Sequence, residues 1–245
     1  MTDKARHYAD ARRRPQARQL RRRRYWRWLL LPALICAFLL VAMRWITPPT
    51  TAFMLAWRIQ HEQRPDWRWR PLGQISSQLA LAVVAAEDQQ FPNHWGFDMG
   101  AIRSAMKDRE RGRSRRGAST ISQQVAKNMF LWSEPSWLRK GLEAGLTPSL
   151  ELAWGKRRLL EVYLNVAEFG DGIYGAEAAA QQFFGVSASA LSRRQAAQLA
   201  ALLPNPKRRL VSSPSRAQRA RVAWIEEQMV ALGGTDYLTT CCLHP

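Results

Sequence analysis

From Trp28 to Met43 the chain carries no charged side chain, and Arg27 and Arg44 bracket the stretch. A run of this kind has few stable fates, and a membrane helix is the first of them. It is shorter than the roughly 20 residues that cross a bilayer, but Arg side chains snorkel and Tyr25, Trp26, Trp28 and Trp45 suit the two interfaces. Counting Tyr25 to Ile46 restores the span. Nine Leu, Ile, Val or Phe side chains between Leu29 and Val41 favour insertion by about 3 to 5 kcal/mol. A cleaved signal peptide is the other reading, yet Val41-Ala-Met-Arg-Trp-Ile-Thr-Pro48 offers no small-x-small cleavage site. Ten Lys or Arg stand against Asp3 and Asp10 between Met1 and Arg24. That asymmetry predicts a cytoplasmic tail, one transmembrane helix, and everything after Thr47 outside the cytoplasm.

The remaining length is enough for one domain with a single core. The pattern divides into a basic tail (1–24), a membrane helix (25–46), a membrane-proximal connector (47–72), a domain (73–232) and a C-terminal tail (233–245). The connector opens on Thr47-Pro-Pro-Thr-Thr51, and its Phe53, Met54, Leu55, Trp57, Trp67 and Trp69 suit either packing on the domain or resting among lipid headgroups. Ser76 or Ser77 caps an apolar helix through Leu79, Leu81, Val83 and Val84. Gly100 to Asp108 predicts a short helix, and Arg109 to Gly117 a charged loop with little to bury. Thr120-x-x-Gln123 is a capping-box pattern that opens a helix to about Leu131. Trp137 to about Ala167 reads as long helix, kinked or divided at Pro148 and Gly155. Further helices are expected at 175–184, 192–203 and 214–232. No strand-like alternation of useful length occurs, so an all-α domain is expected.

The net charge of +18 points to an anionic partner but does not choose among nucleic acid, membrane and phosphorylated substrate. Three cysteines, with Cys36 in the expected span and Cys241 beside Cys242, suggest neither a disulfide framework nor redox chemistry. The four histidines are scattered, so no metal cluster of Cys and His is expected.

Three strings carry candidate chemistry. Glu87-Asp-Gln-Gln-Phe91-Pro-Asn-His94-Trp-Gly-Phe-Asp98 puts two carboxylates at the end of an apolar helix, where the helix dipole and an apolar wall both disfavour ionisation. Glu87 follows Leu79 and Val83 on one face, which makes it the expected buried member of the pair, over Asp88. Gly117-Ala-Ser119-Thr120-Ile-Ser-Gln123-Gln124-Val-Ala-Lys127-Asn128 joins a capped helix start to a lysine, the parts needed to hold a phosphate oxygen. Gln123 and Gln124 share a face with Lys127. Arg139-Lys140-Gly-Leu-Glu143 reads either as a surface ion cluster or as a diphosphate clamp in which Glu143 steers the cations or holds a divalent ion. Ser104-Ala-Met-Lys107 matches the Ser-x-x-Lys of acyl enzymes, but its usual companions Ser-Asp-Asn and Lys-Thr-Gly are absent.

These three strings, with Glu161-x-Tyr-Leu-Asn165, Gly175-x-Glu-Ala-Ala-Ala180, Phe184-Gly185 and Ala196-x-x-Leu-Ala-Ala-Leu-Leu-Pro-Asn-Pro206, resemble glycosyltransferase family 51 in order and spacing. The match covers about half of the chain. With no transpeptidase region in the sequence, the resemblance is to the monofunctional members. It implies a lysozyme-like helical fold, lipid II and a growing glycan strand as substrates, undecaprenyl diphosphate as leaving group, and a β-1,4 product formed with inversion. Glu87 matches the catalytic base; Glu143 would sit beside the diphosphate as a further catalytic group, with Mg²⁺ as its metal; Lys127, Arg139 and Lys140 would neutralise the leaving group. Ser119, Thr120, Gln123 and Asn128 would shape the donor side. Membrane lipid and the cell-division and cell-wall synthesis proteins are the expected partners, and nucleic acid is not. Pro148, and Ala118 where many members have a second glycine, depart from the pattern without removing a proposed group. Two other readings remain for test: a membrane-bound muramidase that hydrolyses glycan, and a non-enzymatic scaffold binding anionic lipid or nucleic acid.

Overall fold

The computed structural model describes residues 30–32, 34–112 and 117–243. From Thr47 onward its α-helices are, in chain order, α1 (Ala52–His61), α2 (Ser77–Glu87), α3 (Met99–Glu110), α4 (Ile121–Phe130), α5 (Trp137–Val166), α6 (Ala176–Phe184), α7 (Arg193–Leu202) and α8 (Arg216–Ala231). Short strands β1 (Asp66–Trp67), β2 (Glu168–Gly170) and β3 (Ile173–Tyr174) form a sheet of order β1-β3-β2, with β1 parallel and β2 antiparallel to β3. The expected helical domain is present, and the sheet is the departure from it. Strands of two or three residues are too short to display alternation in sequence.

Residues from Thr47 onward form one compact unit and those before it another. In the first, 34–42 are helical and exposed apart from the half-buried Leu40 and Ala42. The span expected from Tyr25 to Ile46 falls in part outside the described residues. Among those described, no helix is long and apolar enough to cross a membrane.

In the second unit, α2 is apolar on every face and Leu79 to Ala85 are all buried, as befits a core helix. It packs against α7 and α8, while α4 packs against α5. Buried alanines at 178–180, 196, 197, 200 and 201 let the C-terminal helices approach closely. The connector is part of this unit: Met54 is buried, β1 pairs in the sheet, and the Trp67 indole donates to the Asn165 carbonyl at 2.9 Å. The Asn165 side chain accepts from the Arg70 amide and donates to the Arg70 carbonyl, both at 2.8 Å, which fastens the entry of the chain to the end of α5.

Helix α5 is divided where the sequence suggested. Gly155 sits at φ 70°, ψ 172°, outside helical geometry and in the left-handed half of backbone space that glycine tolerates. Pro148, by contrast, lies inside the helix without ending it. The C-terminal tail was not expected to carry a disulfide, yet Cys241 and Cys242 are joined to one another in the last turn, Thr239–Leu243. That turn packs on α5, and the Arg157 guanidinium donates to the Cys242 carbonyl at 2.9 Å.

Candidate active site

Helix α2 ends at Glu87, and the next residue leaves helical geometry at φ −158°. Asp88 therefore lies beyond the helical face that carries Leu79, Val83 and Glu87, and burial is the reverse of that expected. The Asp88 side chain is 1% exposed and Glu87 15%. Asp88 is fully committed: His94 Nε2 lies 2.9 and 3.0 Å from its two oxygens, and the Ile121 amide at the start of α4 donates to Oδ2 at 2.9 Å. Because the Gly96 amide donates to His94 Nδ1 at 3.0 Å, the ring proton sits on Nε2 and points at Asp88. Glu87 instead faces a cavity of about 870 Å³ shared with Ser119, Thr120, Gln124, Arg209 and Arg221. Gln124 Nε2 donates to Glu87 Oε2 at 3.0 Å, and Arg221 donates to Oε1 at 3.3 Å. Burial pushes the Glu87 carboxyl above its ordinary value, more than Gln124, Arg221, Lys127 and Arg209 pull it down.

Helix α4 opens with a complete capping box. Thr120 Oγ1 accepts from the Gln123 amide, and Gln123 Oε1 accepts from the Thr120 amide. Thr120 Oγ1 also donates to the Gly96 carbonyl at 2.7 Å. Both side chains are buried in these bonds, so they hold the helix start in place. Ser119 is different: its hydroxyl accepts from Lys140 Nζ at 3.2 Å, and it lines the cavity with Glu87. About two turns into α4, Asn128 is buried with its side-chain amide oxygen lacking a hydrogen-bond partner among the described residues.

Lys127 links the two halves of the site. Its ammonium lies 5.6 Å from the Phe53 ring centroid. Its pKa is lowered by burial first, with Glu143 and Glu87 opposing and Arg139 and Lys140 adding to the fall. The same ammonium therefore feels Glu87 on one side and the Arg139, Lys140, Glu143 group on the other. Within that group Lys140 Nζ stands 2.5 Å from Glu143 Oε1, and Glu143 is 2% exposed. The Arg139 guanidinium donates to the Trp132 and Ser133 carbonyls at 3.4 and 3.1 Å, which fixes it by the α4–α5 turn. Three cations and one carboxylate, coupled through Lys127, leave a cradle of net positive charge suited to a phosphorylated group.

Beneath the cavity lies a second charged group, closed on itself. Lys156 pairs with Glu151 at 2.6 Å, Ser122 donates to the same carboxylate at 2.5 Å, and the ammonium sits 4.5 Å from the Phe91 ring centroid. The turn that carries His94 reaches this floor through Gly96, at φ 87°, where a Cβ would lie 2.5 Å from Thr147 Cγ2. Only glycine lets the two segments approach.

Sequence reasoning gave no role to Arg209, Arg221 or Tyr163, and saw Gln124 only as a neighbour of Lys127. The Tyr163 hydroxyl donates to Gln124 Oε1 at 3.0 Å, so Gln124 lies between Tyr163 and Glu87. Arg221 is 134 residues from Glu87 in the chain, a separation that no spacing pattern bridges. As a metal site, Glu143 is a lone carboxylate among cations. Among the described residues no group of three or more His, Cys, Asp or Glu is placed to hold an ion. The donor set fits a divalent cation only if phosphate oxygens and water supply the other ligands.

A helical core that sets a carboxylate on a cavity, with a cationic cradle joined to the cavity wall through the Lys140–Ser119 bond, suits group transfer with a charged leaving group. Residues 55–230 match the sequence profile of the family described as Transglycosylase. The chain is 53% identical over 216 residues to a biosynthetic peptidoglycan transglycosylase of Ectopseudomonas mendocina (strain ymp), covering 86% of this chain and 88% of that one. It is 52% identical over 216 residues to the protein of the same description from Stutzerimonas stutzeri (strain A1501), with coverage of 86% and 88%. Over 221 residues it is 52% identical to that of Pseudomonas putida (strain GB-1), covering 88% and 94%. The chain belongs to the transglycosylase family.

Proposed function

We propose that the chain is a monofunctional peptidoglycan glycosyltransferase that polymerises lipid II. The growing glycan, carried on undecaprenyl diphosphate, is the donor, and the 4-hydroxyl of lipid II is the acceptor. Glu87 takes the proton from that hydroxyl as its oxygen attacks the donor's anomeric carbon. The carbon–oxygen bond to the diphosphate breaks as the new one forms, so an α linkage becomes β-1,4 with inversion. This is glycosidase logic with a sugar hydroxyl in place of water. Charge then develops on the departing diphosphate, where Lys127, Arg139 and Lys140 stabilise it and Glu143 holds Lys140 in place. Ser119 and Asn128 contact the donor, while Thr120 and Gln123 fix the helix that carries them. Mg²⁺ arriving with the diphosphate would take Glu143 as its protein ligand and add positive charge there.

The enzyme is held in the bacterial cytoplasmic membrane by the segment Tyr25 to Ile46, with its basic tail inside and its catalytic unit in the periplasm. There it meets its lipid-linked substrates and the cell-wall synthesis machinery. The observation that carries this reading is the cavity shared by Glu87 and Ser119, with Lys140 bonded to Ser119. Labelled lipid II given to the full chain and to its Glu87→Gln form tests it. Strand synthesis is expected to fall by about 10²- to 10⁴-fold with the melting temperature kept. Shortening of preformed strands without consumption of lipid II supports hydrolysis instead, and undiminished activity in the Gln form supports a scaffold.

A further inference from the structure

Gln124 can hydrogen bond to Glu87 in two ways, and which end of its amide faces the carboxylate decides whether the base is held ionised or protonated. Presenting the NH₂ group stabilises the carboxylate, whereas presenting the C=O favours the protonated acid, which alone has a proton to donate. The structure shows the NH₂ on Glu87 Oε2 at 3.0 Å and the C=O on the Tyr163 hydroxyl at 3.0 Å. Tyr163 is 1% exposed, and among the described residues Gln124 is its hydroxyl's one hydrogen-bond partner. Turning the amide over would leave that hydroxyl hydrogen buried with nothing to receive it, which costs free energy in a dry site.

We propose that Tyr163 is a positioning residue for Glu87: by donating to the Gln124 carbonyl it locks the amide with its NH₂ toward the carboxylate and keeps the base ready to accept a proton. The proposal rests on the assignment of Glu87 as the base. Tyr163 itself remains a hydroxyl through the working range, since burial, then Glu87 and Asp88, push its pKa well above the ordinary value. The other groups around Glu87 are Lys127 from α4, Arg221 from α8, and Arg209 from the segment before α8. Asp88 follows Glu87 in the chain, and Asp98 lies on the cavity wall. The arginines act on the carboxylate whichever way the amide lies. The relay alone is sensitive to one hydroxyl.

The test follows the carboxyl carbon of Glu87 by carbon-13 NMR across pH in the full chain in detergent, with Glu87→Gln to assign the signal. Tyr163→Phe is expected to raise the midpoint by about one pH unit. Gln124→Leu raises it at least as far, and the double variant adds nothing to Gln124→Leu alone. A 3-fluorotyrosine placed at 163, a stronger donor, moves the midpoint down, and this arm decides the matter if Tyr163→Phe does not fold. The acid limb of kcat/KM moves with the midpoint. An unmoved midpoint in Tyr163→Phe, or a rise that persists on top of Gln124→Leu, overturns the relay, as does activity lost equally at every pH. Strand synthesis that survives Glu87→Gln would instead sink the assignment of the base, and the NMR titration would still report on the relay.

Discussion

The floor under the cavity and the cradle beside it differ in how completely their polar groups are paired. In the floor, Asp88, His94, Glu151, Lys156 and Ser122 satisfy one another, with Asp88 also tied to the start of α4. In the cradle, Lys140 is paired with Glu143, and Lys127 lies within the field of Glu143, Arg139 and Lys140. A buried network whose polar groups find partners in one another holds segments together, whereas a cluster with cations in excess suits an anion from outside. Glu87 and Asp88 repeat the contrast at neighbouring positions: both border the cavity, but Asp88 spends its oxygens on His94 and the Ile121 amide while Glu87 stays part-exposed.

The widest separation between the two regions should come from removing a cation from each. Lys156→Met leaves Glu151 buried without its partner, so about 3 to 5 kcal/mol of stability is expected to be lost in chemical denaturation, with activity falling because the fold does. Arg139→Ala is expected to do the reverse: a melting temperature near the parent's, and a loss in kcat of about 10²- to 10³-fold, equivalent to roughly 2.7 to 4 kcal/mol of leaving-group stabilisation. If Arg139→Ala unfolds the chain while Lys156→Met spares it, the comparison is wrong.

The pH profile sharpens the contrast with smaller effects. The folded chain holds the Glu87 pKa above 4.5, so its stabilising contribution is complete below 4.5 and is lost as pH rises through the raised value. Glu87→Gln should accordingly be at least as stable as the parent at neutral pH. The base works only when ionised, so the acid limb of kcat/KM should lie above 4.5. Lys127 is shifted below 10.5 and loses its charge early on the alkaline side, which sets a basic limb below 10.5. The smallest change expected is at the helix cap, where Thr120→Ala should cost about 1 to 2 kcal/mol and lower the melting temperature by a few degrees with kcat little changed.

Much of the fold was legible because local rules wrote it. The capping box at Thr120 and Gln123, the break at Gly155 and the apolar helix ending at Glu87 all follow from interactions within a few residues. The cradle was legible in part for the same reason, since Arg139, Lys140 and Glu143 share one helical face. The three-stranded sheet was not, because its pairing joins Asp66 to Ile173 across more than a hundred residues and its strands are too brief to leave a period.

Sequence by itself determined the helices, their caps and breaks, and the family, since these depend on neighbours along the chain and on the order of motifs. Only the tertiary structure decided that Asp88 is the buried carboxylate, that Arg209 and Arg221 close on Glu87 from the far end of the chain, and that Gln124 stands between Glu87 and Tyr163. The reason is physical: burial and charge are set by whatever packs opposite a side chain, and a spacing of three or four residues carries no record of it.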